Sequence, residues 1–127
     1  MTAHCPLNVL TLNTWGIPYT ADYPHRMQAL AATLARSDYD VVCLQEVWTD
    51  GDVERLTRAG RSGGLAYAQH FPSGVMGSGL LTLSRYPIVD VDFYRYRLGG
   101  TVETIWHGDY IAGKGVGLVR IQTPGGM

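Results

Sequence analysis

Two short apolar runs, Leu7 to Leu12 and Val41 to Leu44, bracket an amphipathic stretch, and this strand–helix–strand order constrains the fold more than any other feature. Between the runs, Met27, Leu30, Ala31 and Leu34 fall at i, i+3, i+4 and i+7, which puts one apolar stripe on a helix over His25 to Arg36. Asp38-Tyr39-Asp40 breaks that pattern. Two neighbouring strands joined in this way send the residues that follow them to the same end of a sheet. The first run is followed by Asn13-Thr14-Trp15-Gly16-Ile17-Pro18 and the second by Gln45-Glu46-Val47-Trp48. Asn13 thus brings an amide and Glu46 a carboxylate to one place. Such a pair suits an oxygen-ligand seat for a hard cation such as Mg²⁺, which keeps several waters and takes few protein ligands. Taken singly, each has a plainer reading: Asn13 caps a turn, and Glu46 starts a helix.

The remaining punctuation fills in the architecture. Thr14 to Pro24 reads as a loop. Thr49-Asp50-Gly51-Asp52 opens a short helix ending near Ala59, since Thr and Asp side chains cap free amides. Arg61 to Gly64 makes a turn. Strands are expected at Ala66 to His70, Gly79 to Ser84, Ile88 to Tyr96, Val102 to Trp106 and Val116 to Ile121, separated by Pro87 and glycine clusters. This order predicts a layered α/β domain with a mixed β-sheet. Thr123 to Met127 resembles a hairpin turn without its returning strand. The expectation is therefore an incomplete domain, in which Val116 to Ile121 would pair on both sides in the full fold and associate through a bare edge without it.

Composition narrows the function classes. With 46% apolar residues among 127, the chain can bury a core. Its net charge is −1 and its basic residues are scattered, which argues against an extended polyanion grip and so against nucleic acid as a partner. Cys5 and Cys43 are the only cysteines. Cys43 lies inside an apolar run, where a buried free thiol is expected, and this leans towards a reducing, intracellular setting. No stretch reaches the ~18–20 apolar residues of a membrane span. The first residues lack the basic flank and apolar core of a signal peptide. His70 and His107 read as structural or surface residues. Gly113-Lys114-Gly115 lacks the full spacing of a nucleotide phosphate loop.

Several segments in a fixed order carry a resemblance. They are Asn13 to Pro18, Glu46-Val47-Trp48, His70-Phe71, Ser73-Gly74, Gly77-Ser78-Gly79-Leu80, Ser84, Pro87-Ile88, His107-Gly108-Asp109-Tyr110 and Gly113 to Gly117. Through them the chain resembles the N-terminal half of a neutral sphingomyelinase, in the endonuclease/exonuclease/phosphatase superfamily that includes DNase I-like enzymes. The likeness runs from about Leu7 to Ile121.

The resemblance implies half of a four-layer α/β sandwich and an Mg²⁺-dependent phosphodiesterase that splits sphingomyelin into ceramide and phosphocholine. The substrate would be a sphingolipid or choline phospholipid at a membrane surface, with the complete protein membrane-associated. By similarity Glu46 is the metal-coordinating carboxylate and Asn13 supports the metal and phosphate. Asp109 and Lys114 lie in a glycine-flexible loop that, by the same resemblance, borders the active site, where Lys114 offers a point charge to phosphate. The plainer reading of that pair is an exposed ion pair of ~0–1 kcal/mol. Trp15 and Trp48 flank the site, and choline cations favour aromatic faces; packing over the strand ends is the competing role. Leu98-Gly99-Gly100 departs from the Leu-Asn-Gly usual in relatives. The family's catalytic histidine, Asp-x-Asn pair and terminal Asp-His match no segment here, so the chain by itself is expected to be inactive. Alternatives are a lysophospholipid or other phosphodiesterase of the superfamily, or a non-catalytic truncated relative.

Overall fold

The computed structural model describes residues 5–73, 77–96 and 114–126. The chain runs β1 (Val9–Asn13), α1 (Tyr23–Leu34), β2 (Val41–Gln45), α2 (Asp50–Ser62), β3 (Tyr67–His70), β4 (Leu81–Ser84), β5 (Ile88–Arg95) and β6 (Gly115–Ile121). One sheet has four strands in the order β1-β2-β4-β3, and β5 and β6 form a second, two-stranded sheet. β1 and β2 are parallel, with Asn13 opposite Gln45, while β4 is antiparallel to both β2 and β3. The mixed α/β sheet expected from the sequence is thus present, and β1 and β2 do end side by side. The Val102–Trp106 strand expectation lies outside the described residues.

Register explains which face the helices cover. Leu10, Val42, Leu83 and Ala68 form one cross-strand row, and Leu12, Leu44, Leu81 and His70 the next. From these rows Val42, Leu44, Leu81 and Leu83 join Met27 and Leu34 of α1, Leu56 of α2, Val47 and Leu65 in the buried core. Leu30 and Ala31 pack against it, which completes the predicted stripe. The other face presents Thr11, Cys43, Thr82 and Gln69 in one row, so the sheet is apolar towards the helices and more polar away from them.

Both helices differ from expectation at their ends. α1 begins at Tyr23, two residues before His25, because Pro24 falls in its first turn, where the missing N–H has no intrahelical partner to lose. α2 continues past Ala59 to Ser62. Gly60 permits this, since a Cβ there would lie 2.9 Å from Leu83 Cδ1, so the bare backbone seats the helix on β4. At its other end, Thr49 accepts a hydrogen bond from the Asp52 amide at 3.1 Å, as the N-cap reading required.

Candidate active site

The ends of β1 and β2 are tied together one residue beyond their ladder. The Asn13 Nδ2 amide donates to Glu46 Oε1 at 2.9 Å, and Asn13 Oδ1 accepts from the Trp15 backbone amide at 2.9 Å. Asn13 therefore does two jobs: it closes an Asx-type turn and holds the carboxylate. Its carbonyl oxygen is committed to the turn, leaving the amide hydrogens as the groups that face Glu46. Among the described residues no other side chain bonds the Glu46 carboxylate, and no basic group neutralises it.

Glu46 does not start a helix. Its φ is 59, in the left-handed region, and α2 begins only at Asp50. That turn drops Val47 into the core, where its amide donates to the Gly79 carbonyl at 2.9 Å. It also lays the Trp48 indole against Gly79, with ring atoms 3.0 Å from where a Cβ would stand. Gly79 has φ 73, so both the backbone turn and the indole contact call for glycine. Trp48 is thus half-buried and packs against Gly79.

Trp15 is different: it is 50% exposed and itself lies at φ 46. Arg26 of α1 places its guanidinium 4.7 Å from the indole centroid. The same guanidinium donates to the Trp15 carbonyl at 2.8 Å, to Thr20 Oγ1 at 3.1 Å and to the Ala21 carbonyl. Only its Nε is buried without a partner. One face of Trp15 is therefore already covered by a cation of this chain. Sequence reading missed Arg26, because a basic residue at the start of a helix gives no sign that it reaches back across the preceding loop.

Of the other expected site residues, Lys114 stands directly before β6, and its carbonyl accepts from the Tyr96 amide at 2.9 Å. Asp109 lies outside the described residues. His70 ends β3, and its carbonyl accepts from the Gln69 side chain. The structure thus brings Asn13 and Glu46 into contact, with Trp15 and Trp48 around them.

The donor set fits a hard, highly hydrated cation. It offers one carboxylate with an oxygen, Oε2, that meets no described protein partner, beside a neutral amide. No group of three or more His, Cys, Asp or Glu that could hold a metal occurs among the described residues. Mg²⁺, which is content with one or two carboxylates and keeps several waters, asks for a donor set of this kind.

Comparison with known proteins agrees with this architecture. The model of the Endonuclease/Exonuclease/phosphatase family matches residues 10–125. A putative neutral sphingomyelinase of Drosophila melanogaster is 48% identical over 122 residues, covering 95% of this chain and 27% of that protein. An inositol phosphosphingolipids phospholipase C of Schizosaccharomyces pombe is 39% identical over 121 residues, covering 94% of this chain and 28% of that protein. The chain thus spans little more than a quarter of the length of these curated relatives. Among solved structures, sphingomyelinase C from Streptomyces griseocarneus aligns with a TM-score of 0.71 at 23% identity, over 94% of this chain and 45% of that one. A Staphylococcus aureus beta toxin mutant with bound magnesium ions aligns at 0.67 and 16% identity, over 94% and 46%. These likenesses show that the fold is the DNase I-like one.

Proposed function

The chain belongs to the endonuclease/exonuclease/phosphatase family, and on that premise we propose that it forms part of an Mg²⁺-dependent sphingomyelin phosphodiesterase. The observation that carries the reading is the Asn13–Glu46 hydrogen bond at the shared end of β1 and β2. It fixes a carboxylate that has no cationic partner among the described residues, and the curated relatives matched over this segment are named a neutral sphingomyelinase and a phospholipase C.

Glu46 would hold the metal through Oε2, with Asn13 keeping Oε1 in place. A bound Mg²⁺ would supply a positive charge that stabilises negative charge gathering on a phosphate oxygen during phosphodiester cleavage. Asn13 Nδ2 has a second hydrogen, which it can donate to a phosphate oxygen. Lys114 would offer a point charge to the phosphate, and Asp109 would border the site with it, as the family resemblance implies. Trp15 would meet a head group on the face that Arg26 leaves open, and Trp48 would shape the wall. A sphingolipid substrate would bring the protein to a membrane surface; among the described residues no helix is long and apolar enough to cross one.

One of these relatives is named for sphingomyelin and the other for inositol phosphosphingolipids. The shared element in both substrates is the phosphodiester, and that is what Glu46 and Asn13 are built to meet. Sphingomyelin is favoured because the Drosophila relative has the higher identity, 48% against 39%.

Glu46→Gln tests the metal assignment. The substitution keeps the hydrogen-bonding shape and removes the charge, so in the native enzyme Mg²⁺ binding should be lost and sphingomyelin turnover should fall by orders of magnitude, with the thermal melt preserved. Wild-type Mg²⁺ affinity in the variant would make Glu46 a structural residue.

A further inference from the structure

The backbone of Glu46 is held as firmly as its side chain, and by the same loop. Its carbonyl accepts two hydrogen bonds, from Thr14 Oγ1 at 2.9 Å and from the Gly16 amide at 3.0 Å. The Thr14 amide donates to the neighbouring Gln45 carbonyl at 2.9 Å. Thr14 is buried, so its hydroxyl has no competing access to bulk water. A Cβ at Gly16 would stand 2.1 Å from the Glu46 carbonyl oxygen and 2.9 Å from Met27 Cε. Only glycine lets the two backbones approach this closely.

We propose that Thr14 and Gly16 are positioning residues that hold the Glu46 peptide in its left-handed conformation and thereby aim its carboxylate at the metal seat. The inference rests on the reading that Glu46 carries the metal. Its physical content is distinct, however. At φ 59 a glutamate is in a sparsely populated region and returns to a negative φ unless its surroundings prevent it. That return would rotate the Cα–Cβ bond and carry the carboxylate away from Asn13 Nδ2. The two donors on the carbonyl prevent the peptide from turning, and Asn13 then completes the setting at the side-chain end. Three of four consecutive residues, Asn13, Thr14 and Gly16, thus grip one residue of the adjacent strand end.

The test uses Thr14, where the hydroxyl can be removed with the shape retained. Mg²⁺ binding to the native enzyme is measured by titration calorimetry, alongside the Mg²⁺ concentration for half-maximal turnover and the thermal melt. T14V lacks the donor and keeps the branching, and should weaken Mg²⁺ binding by about tenfold, in the range found when groups supporting a metal ligand are removed. T14S restores the hydroxyl and should return affinity to near the wild-type value. A T14V protein that does not fold moves the measurement to T14A, with the same expected loss. The Glu46→Gln variant separates the two readings. If E46Q binds Mg²⁺ like wild type, the metal assignment itself is wrong. If E46Q loses Mg²⁺ while T14V and T14A keep wild-type affinity, the positioning role is overturned. It is equally overturned if T14S is as impaired as T14V, since the hydroxyl would then not be what matters.

Discussion

Replacing Asp52 with alanine should loosen the joint between the two helices, and the cost can be worked from its bonds. Asp52 is 3% exposed at the third position of α2. Its Oδ2 accepts from the Tyr23 hydroxyl of α1 and from Thr49 Oγ1 at 2.9 Å, while its amide donates back to Thr49 Oγ1 at 3.1 Å. Burial, and next the bond to Asp52, raise the Tyr23 phenol above its ordinary range. Without the carboxylate, Tyr23 keeps a part-buried hydroxyl without its acceptor, worth about 1–3 kcal/mol. The Thr49 cap survives but loses its reciprocal partner, a fraction of the ~0.5–2 kcal/mol of a full cap. Relief of carboxylate desolvation offsets part of this. The expected net loss is roughly 1.5–3 kcal/mol, read as a lower urea midpoint at unchanged m-value. Y23F removes the other partner, so the D52A/Y23F double variant should lose less than the two singles summed, by at least ~0.5 kcal/mol. Strict additivity, or D52A within ~0.5 kcal/mol of wild type, would refute the linked network.

Two further outcomes follow from single groups. Arg26→Gln removes the guanidinium that staples the loop, so Trp15 fluorescence should become more quenchable by acrylamide and stability should drop by about 1–2 kcal/mol, an exposed charge-assisted bond being worth less than a buried one; unchanged quenching would mean that the loop holds its own shape. Burial raises the Cys43 thiol, with a Thr82 hydrogen bond pulling weakly the other way. A raised acid binds its proton more tightly when folded, so its stabilisation is full below the unfolded thiol's pKa of about 8.5 and is lost as pH rises through the higher folded value. Thermal melts of wild type should therefore fall more steeply on the alkaline side than those of C43S, and parallel curves would remove Cys43 from the account.

The large features were legible because each rests on a periodic signal. The α1 stripe of Met27, Leu30, Ala31 and Leu34 and the β-rich run before Glu46 gave the βαβ unit, and the parallel β1–β2 ladder then put Asn13 and Glu46 at one end. What escaped was set by single close approaches. The length of α2 depends on Leu83 lying under Gly60, a tertiary contact with no local trace. Glu46 as a helix start failed because a polar residue after a strand looks alike whether its φ is negative or positive. Arg26 was missed since two of its three acceptors are carbonyls, which every sequence supplies and none advertises.

The placement of strain shows how this site can be stiff without being buried. The non-glycine residues described with positive φ are Trp15, Tyr19, Asp22 and Glu46, and all lie in the two segments that follow β1 and β2. Each such residue costs about 1–3 kcal/mol and persists only where its surroundings over-determine it. Here the surroundings are hydrogen bonds to main chain: Asn13 Oδ1 and Arg26 on the two sides of the Trp15 residue, Thr14 and Gly16 on Glu46, and the Arg26 amide on the Asp22 carbonyl. The bonds on Trp15 are exposed, while those on Glu46 come from buried Thr14 and Gly16, so the carboxylate itself needs no apolar cover. The helix-facing core fixes the positions of the two strand ends, and the loop then spends its polar groups on one neighbour's backbone. A carboxylate placed this way points in a set direction, as the proposed metal role would require. Little ordering is then left to be done on binding, which is the condition under which a single protein carboxylate can serve a metal that keeps most of its waters.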